Sequence, residues 1–162
     1  MKTLYLIGGT MGVGKTAVCR ELKKLLPNAV MLDGDWCWDM DPFVVNEETK
    51  AMVLDNIRHQ LANFLRCSTL DNVIFCWVMH EQAIIDDVLR DLPECRVVNI
   101  SLICSEDALR RRLEKDIAAG IRQPDILERS PVRLPLYQQL NTEKLDTGNL
   151  SARETAEKIA KK

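Results

Sequence analysis

The fold of this chain is decided by the stretch Gly9-Thr10-Met11-Gly12-Val13-Gly14-Lys15-Thr16. The stretch fits the pattern Gly-x4-Gly-Lys-Ser/Thr, and a short apolar run, residues 3–7, comes directly before it. After it, Val18, Leu22 and Leu25 recur at the spacing of one helical face. The sequence therefore predicts a strand, a glycine-rich loop and a helix in direct succession.

A glycine-rich loop between a strand and a helix has the chemistry of a phosphate site. Glycines let the backbone turn successive N–H groups toward an anion, and the helix that follows adds its positive end. In this pattern Lys15 neutralises the β and γ phosphates, and the hydroxyl of Thr16 is a ligand for Mg2+. An ordinary glycine turn is the alternative. We predict that ATP and Mg2+ are bound by Gly9, Thr10, Met11, Gly12, Val13, Gly14, Lys15 and Thr16.

Apolar runs and amphipathic segments alternate along the rest of the chain. This alternation predicts a parallel sheet that is covered by helices on both faces. The predicted further strands are residues 29–32, 72–79, 96–104 and, weakly, 144–146. The predicted further helices are residues 47–65, 81–92 and 106–118, and a last one that opens at the capping box of residues 151–154.

An acidic turn, Asp33-Gly34-Asp35, follows the second predicted strand directly. Ligands of open α/β sheets bind beyond the carboxyl ends of the strands, so we expect this turn beside the phosphate loop. One carboxylate can hold Mg2+ through water, and the other can accept a proton from an attacking hydroxyl group. We predict that Asp33 supports the metal and that Asp33 or Asp35 orients or deprotonates the acceptor. A solvated acidic turn is the alternative.

With these motifs the chain resembles the small P-loop kinases, such as shikimate, gluconate, adenylyl-sulfate and nucleoside monophosphate kinases, along most of its length. Residues 32–35 resemble the acidic motif of the small-metabolite members, residues 109–113 the stretch that enters their lid, and residues 122–124 the lid itself. Residues 133–137 are similar to the Arg-x3-Tyr of the helix that follows. The resemblance implies a three-layer α/β P-loop NTPase fold, with helices on both faces of a parallel central sheet of about five strands in the order 2-3-1-4-5.

The resemblance also implies one domain over residues 1–162, with an acceptor-binding helical insert at 37–66 and a lid at 116–130. Phosphoryl transfer needs positive charge around the equatorial oxygens of the transferred group, and it needs competing water to be excluded. A closing lid with an arginine does both. We therefore predict that Arg122 is catalytic together with Lys15, and the alternative is a solvated loop charge.

Three further arginines are candidate ligand-binding residues. The three consecutive arginines at 110–112 project in different directions around a helix, so they cannot all face one site. Arg112 is the one that matches the family motif, and the resemblance implies that it binds the nucleotide. Arg133 and Arg58 are predicted to bind the acceptor together with Asp35. For each of these arginines the alternative is an exposed helix surface.

The ends of the second and third strands supply weaker candidates. His80 and Glu81 are candidates for contact with the acceptor or Mg2+, and the alternative is that they only begin a helix. Candidate residues for the lining of an apolar or aromatic acceptor pocket are Trp36, Trp38 and Phe43, and the alternative is that they pack in the core or in a flap. The turn after the third strand lacks the glycines of shikimate kinase, so we expect a different acceptor pocket.

Composition and charge exclude several classes of function. The 22 Lys and Arg nearly balance the 24 Asp and Glu, so a net charge of −2 gives no general attraction to nucleic acid or to an anionic membrane. The six cysteines follow no secretory leader and form no CxxC motif, which favours reduced thiols. We expect a cytoplasmic protein with a small-molecule partner and no nucleic-acid or membrane partner. The sequence does not indicate an oligomeric state.

Together these features predict an enzyme, a P-loop kinase that transfers the γ-phosphoryl group of Mg-ATP to a small metabolite or nucleotide. The alternative is a nucleotide-dependent regulatory or binding protein with little turnover, in which ATP orders the lid. The intact pair of Asp33 and Asp35 favours catalysis. ATP binding without turnover would favour regulation.

Overall fold

A parallel sheet forms the centre of the protein, and the computed structural model describes all residues from Met1 to Lys162. The strands are β1 (Thr3–Gly8), β2 (Ala29–Asp33), β3 (Asn72–Trp77), β4 (Arg96–Ile103) and β5 (Glu143–Asp146). They lie in the order β2-β3-β1-β4-β5, and each neighbouring pair is parallel. The predicted α/β fold and its strand order, 2-3-1-4-5, are confirmed.

Helices connect the strands. The α-helices are α1 (Lys15–Leu25), α2 (Glu47–Arg66), α3 (Gln82–Leu89), α4 (Glu106–Ala118), α5 (Ile126–Arg129) and α6 (Ala152–Ala160). Two 3-10 helices cover Gly34–Trp38 and Pro131–Gln139. The predicted capping box at the start of α6 is present, because Ser151 and Glu154 each accept the backbone N–H of the other.

Two elements end earlier than predicted, and in both cases a non-glycine residue takes a left-handed conformation. β3 ends at Trp77 rather than at residue 79, and Met79 has φ of 39°. α3 ends at Leu89 rather than at residue 92, because Arg90 is extended and Asp91 has φ of 58°. Methionine rarely adopts this conformation, so residue type did not indicate the turn at Met79, whereas Asp91 is of a type that tolerates it.

The two faces of the sheet carry two separate apolar cores. Leu4 and Leu6 of β1 point into one core, while Tyr5 and Ile7 point into the other, as the alternation along a strand requires. The first core is closed by α2, α3 and Tyr137 of the second 3-10 helix, and the other by α1 and α6. Each fully buried Leu or Ile contributes about 1.5–3 kcal/mol to folding. The helices on both faces confirm the three-layer architecture.

The carboxyl ends of β1, β2 and β3 meet at one edge. In the register of the sheet Gly8 lies opposite Trp77, and Asp33 lies opposite Cys76. The chain leaves β1 into the glycine-rich loop at this edge, where β3 and β4 flank it on opposite sides. A switch of this kind opens the crevice in which α/β proteins bind ligands.

The predicted insert and lid fall on irregular segments and their neighbouring helices. Residues 39–46 have no regular structure, and α2 then begins with a capping box between Asn46 and Thr49. Residues 116–130 comprise the end of α4, a turn at Gly120 and α5. No helix is both long enough and apolar enough to cross a bilayer.

Candidate active site

The glycine-rich loop has the backbone that a phosphate cradle requires. Gly12 and Gly14 have φ of 86° and 107°, a region that side chains disfavour. At Gly12 a Cβ would also lie 2.4 Å from Cδ2 of Leu113, so a larger residue would push the loop away from α4. Gly14 leads directly into α1, whose first N–H groups point at the loop.

Lys15 lies at the start of α1 and is directed back over the loop. Its Nζ donates a hydrogen bond of 3.1 Å to the carbonyl of Thr10. Burial lowers the pKa of Lys15, and the negative charges of Asp35 and Asp33 oppose that effect. The ammonium group therefore contacts the loop and lies near enough to the acidic turn to be affected by both of its carboxylates.

Asp33 joins the phosphate loop to the acidic turn. Its Oδ2 accepts a hydrogen bond of 2.8 Å from the hydroxyl of Thr16, and its Oδ1 accepts one of 3.1 Å from the backbone N–H of Asp35. The residue is only 7% exposed. The predicted pair Thr16 and Asp33 is thus brought together, and a hydroxyl beside a carboxylate is a donor set that suits Mg2+.

Asp35 lies two residues further on, in an open cleft. Although it keeps contact with solvent, burial and the charge of Asp33 raise its pKa, while Lys15 and hydrogen bonding from the indole of Trp77 oppose the rise. Trp77 also explains the glycine between the two carboxylates, because a Cβ on Gly34 would lie 2.4 Å from Cγ of the indole. Trp77 was not among the residues predicted to form the site, although its position at a strand end was an available signal.

Arg122 is held by a carboxylate of the helix that precedes it. Its Nε donates a hydrogen bond of 3.0 Å to Oδ2 of Asp116, and both side chains are about one-third exposed. The guanidinium is close enough to affect the pKa of Lys15 and of Asp35. The structure therefore brings the predicted residues Lys15, Asp33, Asp35 and Arg122 to the same edge of the sheet.

Arg112 braces the phosphate loop from outside. Its Nη1 donates hydrogen bonds of 3.0 Å to the carbonyl of Val13 and to the hydroxyl of Thr147. Its Nη2 donates one of 2.6 Å to the carbonyl of Thr147. The guanidinium thus links the loop to the segment after β5. The sequence analysis gave no role to Thr147, since a single threonine after a weak strand has no distinctive pattern.

Ser130 fastens the end of the predicted lid to the phosphate loop. The hydroxyl of Thr10 donates a hydrogen bond of 2.8 Å to the Ser130 carbonyl, and the Ser130 hydroxyl donates to the carbonyl of Met11. Thr10 and Ser130 are both fully buried. No motif marked Ser130, because its partners lie about 120 residues away in the sequence.

Two adjoining cavities open near the acidic turn, and Asp35 lines the smaller of them. The smaller one, of about 370 Å3, is lined by Asp35, Trp36, Trp38, Asp39 and Phe43. The larger one, of about 510 Å3, shares Trp38 and Phe43 with it and extends to β3 and the second 3-10 helix. The larger cavity is also lined by Val45, Lys50, Leu54, Trp77, Val78, Met79, His80, Glu81, Ile84, Arg129 and Arg133. We call it the aromatic cavity.

Arg133 and His80 are the polar groups of the aromatic cavity that lack strong partners. The guanidinium of Arg133 has no ion-pair partner. His80 has a buried Nδ1 without a hydrogen-bond partner, and its Nε2 lies 3.3 Å from Oε1 of Glu81. Burial and the charge of Arg133 lower the pKa of His80, against the opposing effect of Glu81. A neutral imidazole and a free guanidinium therefore face this cavity.

The position of Arg58 does not fit the predicted acceptor role. It lines a separate cavity of about 360 Å3 with His59, Arg66 and Arg90. Its Nη1 lies 3.5 Å from the carbonyl of Asp87 on α3. Helical periodicity had placed Arg58 on a polar face of α2, but it did not indicate which end of the sheet that face overlooks.

Comparisons with known proteins agree with this architecture. A family model described as an AAA domain matches residues 6–128. No curated protein matches the chain. A tunicamycin resistance protein of Deinococcus radiodurans has a similar fold, with a TM-score of 0.69 and 19% identity over 99% of this chain and 95% of that one. A gluconokinase of Sinorhizobium meliloti 1021 has a TM-score of 0.68 and 17% identity over 98% of this chain and 92% of that one. A shikimate kinase of Acinetobacter baumannii in complex with shikimate has a TM-score of 0.66 and 22% identity over 98% of this chain and 90% of that one.

The structural matches are distant in sequence and concern the fold, whereas the family model spans most of the chain. The fold is that of small P-loop kinases, as the resemblance in sequence implied. Since the family model covers well over half of its residues, the chain belongs to the AAA-domain family of P-loop proteins.

Proposed function

We propose that this protein is a P-loop phosphotransferase that moves the γ-phosphoryl group of ATP to a hydroxyl group of a small molecule. The observation that carries the proposal is the hydrogen bond of 2.8 Å between Thr16 and Asp33. It joins the phosphate loop to the acidic turn, so that a bound triphosphate and a candidate base lie at one edge of the sheet. A nucleotide-binding loop alone would support binding, whereas this combination supports transfer.

The nucleotide is proposed to bind with its phosphates in the loop from Gly9 to Thr16. The left-handed glycines and the start of α1 supply N–H donors, and Lys15 supplies the positive charge. Lys15 now donates to the Thr10 carbonyl, a bond that it can exchange for a phosphate oxygen. Arg112 is proposed to support nucleotide binding by bracing the loop through Val13.

Mg2+ is proposed to be held by Thr16 and Asp33. A hydroxyl and a carboxylate oxygen are hard donors, and Mg2+ commonly takes only one or two protein ligands. When held by Thr16 and Asp33, the ion would supply positive charge that offsets the negative charge of the phosphates. Within the protein, Asp33 is rigid because its two oxygens are fixed by Thr16 and by the backbone of Asp35.

Asp35 is proposed to accept the proton of the acceptor hydroxyl. The acceptor oxygen forms a bond to the γ phosphorus, the bond from that phosphorus to the β,γ-bridging oxygen breaks, and the hydroxyl proton passes to the Asp35 carboxylate. The raised pKa of Asp35 makes it a better base than an ordinary aspartate. The two carboxylates of the turn would also repel a phosphate acceptor, which favours an alcohol.

Lys15 and Arg122 are proposed to stabilise the charge on the transferring group. Both cations belong to the cluster that includes the acidic turn, and Arg122 is positioned by Asp116. Residues 116–130 are proposed to act as the lid, anchored at its far end by Ser130. A lid that excludes water would favour transfer to the acceptor over hydrolysis.

A thermal-shift screen of alcohols with Mg-ATP, followed by measurement of ADP release, tests the proposal. We expect ATP to raise the midpoint of unfolding and one class of alcohol to raise it further and to release ADP. Lys15→Ala should lose both effects, whereas Lys23→Ala, an exposed lysine of the same helix, should retain them. Stabilisation by ATP without ADP release for any alcohol would contradict the proposal and favour a regulatory protein.

A further inference from the structure

Resting on the proposed function, we infer that the phosphoryl acceptor is an alcohol whose body is a flat apolar ring system rather than a polyol. The residues that carry this inference are Trp38, Phe43 and Trp77 of the aromatic cavity. The sequence analysis left open whether the first two wall a pocket or pack in the core. In the structure both border a cavity that adjoins Asp35.

All three tryptophans of the chain lie around these two cavities. The ring centroids of Trp38 and Phe43 are 5.8 Å apart, and those of Trp38 and Trp77 are 6.3 Å apart. At such distances aromatic rings attract one another, and Trp38 forms the centre of the group. The result is a continuous aromatic wall that runs from the cleft of Asp35 into the larger cavity.

Two of the three rings of the wall, those of Trp77 and Trp38, are held in place before any ligand binds. Trp77 packs against Gly34 and lies 6.4 Å from Phe75 of the core, measured between ring centroids. The indole N–H of Trp38 donates a hydrogen bond of 3.3 Å to the carbonyl of Val44. A preformed surface loses little conformational freedom when a ring stacks on it, which favours tight binding of flat molecules.

The outer rim leaves apolar surface in water. Trp36, Phe43 and Val45 are 54%, 66% and 53% exposed, and all three border the two cavities. Clustered apolar side chains at the mouth of a cavity mark a ligand groove more often than scattered ones do. A ring system would cover them, whereas a polyol would place hydroxyl groups against them.

Eight of the 13 residues that line the aromatic cavity are hydrophobic, so a polyol would find few polar partners there. Lys50 is paired with Glu47, and Arg129 with Asp125. Apart from Glu81, this leaves the neutral His80 and the unpaired Arg133. Because each buried hydroxyl of a ligand needs a partner, such a site suits one polar or anionic substituent on an otherwise apolar body.

Two probes with the same functional groups and different bodies test the inference. 4-(Hydroxymethyl)benzoate and gluconate each carry a primary alcohol and a carboxylate, but only the first has a ring. Calorimetry in the presence of Mg-ADP measures both affinities, and the fluorescence of Trp36, Trp38 and Trp77 reports binding without a label. We expect the ring probe to bind at least about tenfold more tightly and to quench the fluorescence.

Substitutions of single residues test whether the ring probe binds in the aromatic cavity. Trp38→Ala should weaken the ring probe about tenfold, and Trp38→Phe should restore most of the affinity because it keeps an aromatic face. Val97→Ala is the control, since Val97 is an exposed apolar residue of β4 outside both cavities, and it should change the affinity less than about threefold. Equal weakening by Val97→Ala and Trp38→Ala would overturn the assignment.

The same two probes separate failure of this inference from failure of the proposed function. Tighter binding of gluconate, or no binding of the ring probe, would overturn the inference about the acceptor. If gluconate then led to ADP release, the proposed phosphotransferase activity would still stand. Binding of the ring probe that depends on Trp38 supports the inference. If no alcohol released ADP in that case, only the proposed reaction would fail.

Discussion

The hydroxyl of Thr16 donates a hydrogen bond of 2.8 Å to Oδ2 of Asp33, and this contact joins the first turn of α1 to the end of β2. The two residues are 17 positions apart in the chain and on different elements. Their oxygens form a donor pair at the mouth of the phosphate loop. This pair is the proposed binding site for Mg2+.

Removal of the Thr16 hydroxyl should therefore weaken the binding of Mg2+. Thr16→Val keeps the shape of the side chain but loses one oxygen donor, so we expect the Mg2+ concentration for half-maximal ADP release to rise about tenfold or more. Titration of Mg2+ at saturating ATP measures it. Thr16→Ser retains the hydroxyl and should behave like the wild type. An unchanged Mg2+ requirement in Thr16→Val would remove Thr16 from the metal site.

Loss of the Asp35 carboxylate should abolish most of the turnover. If Asp35 is the base, Asp35→Asn should lower kcat by about 10² to 10⁴ with little change in the affinity for ATP. The wild-type rate should fall with decreasing pH through a value above the ordinary pKa of an aspartate, because burial and Asp33 raise the pKa of Asp35. Asp41→Asn, at an exposed position, is the control. An unaltered pH profile in Asp35→Asn would exclude Asp35 as the base.

The same substitution should stabilise the fold. Since the pKa of Asp35 is higher in the folded than in the unfolded protein, the folded state binds the proton more tightly. Ionised Asp35 therefore destabilises the protein above the folded-state pKa, and this effect vanishes as the pH falls below the unfolded-state pKa. Asp35→Asn should melt at a higher temperature than the wild type at neutral pH, and the gain should disappear in acid. A lower melting temperature at neutral pH would contradict this.

Arg122 should affect the chemical step more than nucleotide binding. Arg122→Gln removes a cation from the charge cluster, and we expect kcat to fall about a hundredfold while the Kd for ATP changes little. Arg111→Gln is the matched control, since Arg111 is exposed on α4 and has no ion-pair partner. Equal kcat values for the two variants would show that Arg122 is an ordinary surface charge.

Ser130 should contribute to stability although it has no catalytic role. Ser130→Ala removes the buried side-chain hydroxyl that donates to the carbonyl of Met11, and we expect a loss of about 1–3 kcal/mol in the free energy of unfolding. Denaturant titration measures the loss. Ser68→Ala, at an exposed position, should stay within about 0.5 kcal/mol of the wild type. A similar value for Ser130→Ala would mean that the lid is not anchored at this residue.

Sequence was most informative where the determinants are local. The phosphate loop was predictable because Gly9 to Thr16 specify both its backbone and its chemistry within eight positions. The position of Asp33 beside the phosphate loop was expected from one further inference, that ligands of open α/β sheets bind beyond the carboxyl ends of the strands, and the hydrogen bond to Thr16 is what the structure adds. The strand order came from the resemblance to a family rather than from residue patterns.

Contacts between distant segments were not predictable in the same way. Ser130, Thr147 and Trp77 act through partners that only the assembled fold brings near, and no spacing in the sequence marks them. Arg58 is a further example, because the helical pattern placed it on a polar face of α2 but did not indicate which cavity that face lines. The early end of β3 belongs to this group too, because Met79 adopts its left-handed conformation in a run that is otherwise strand-like.

The fate of the γ-phosphoryl group tests the central claim most directly. The protein is incubated with Mg2+ and ATP labelled in that group, together with an alcohol that stabilises the protein, and the label is traced among ATP, inorganic phosphate and the alcohol. The account predicts that the label moves to the alcohol with the wild type and with Lys23→Ala, and stays in ATP with Lys15→Ala. Label that remained in ATP, or that appeared only as inorganic phosphate with the wild type, would contradict it.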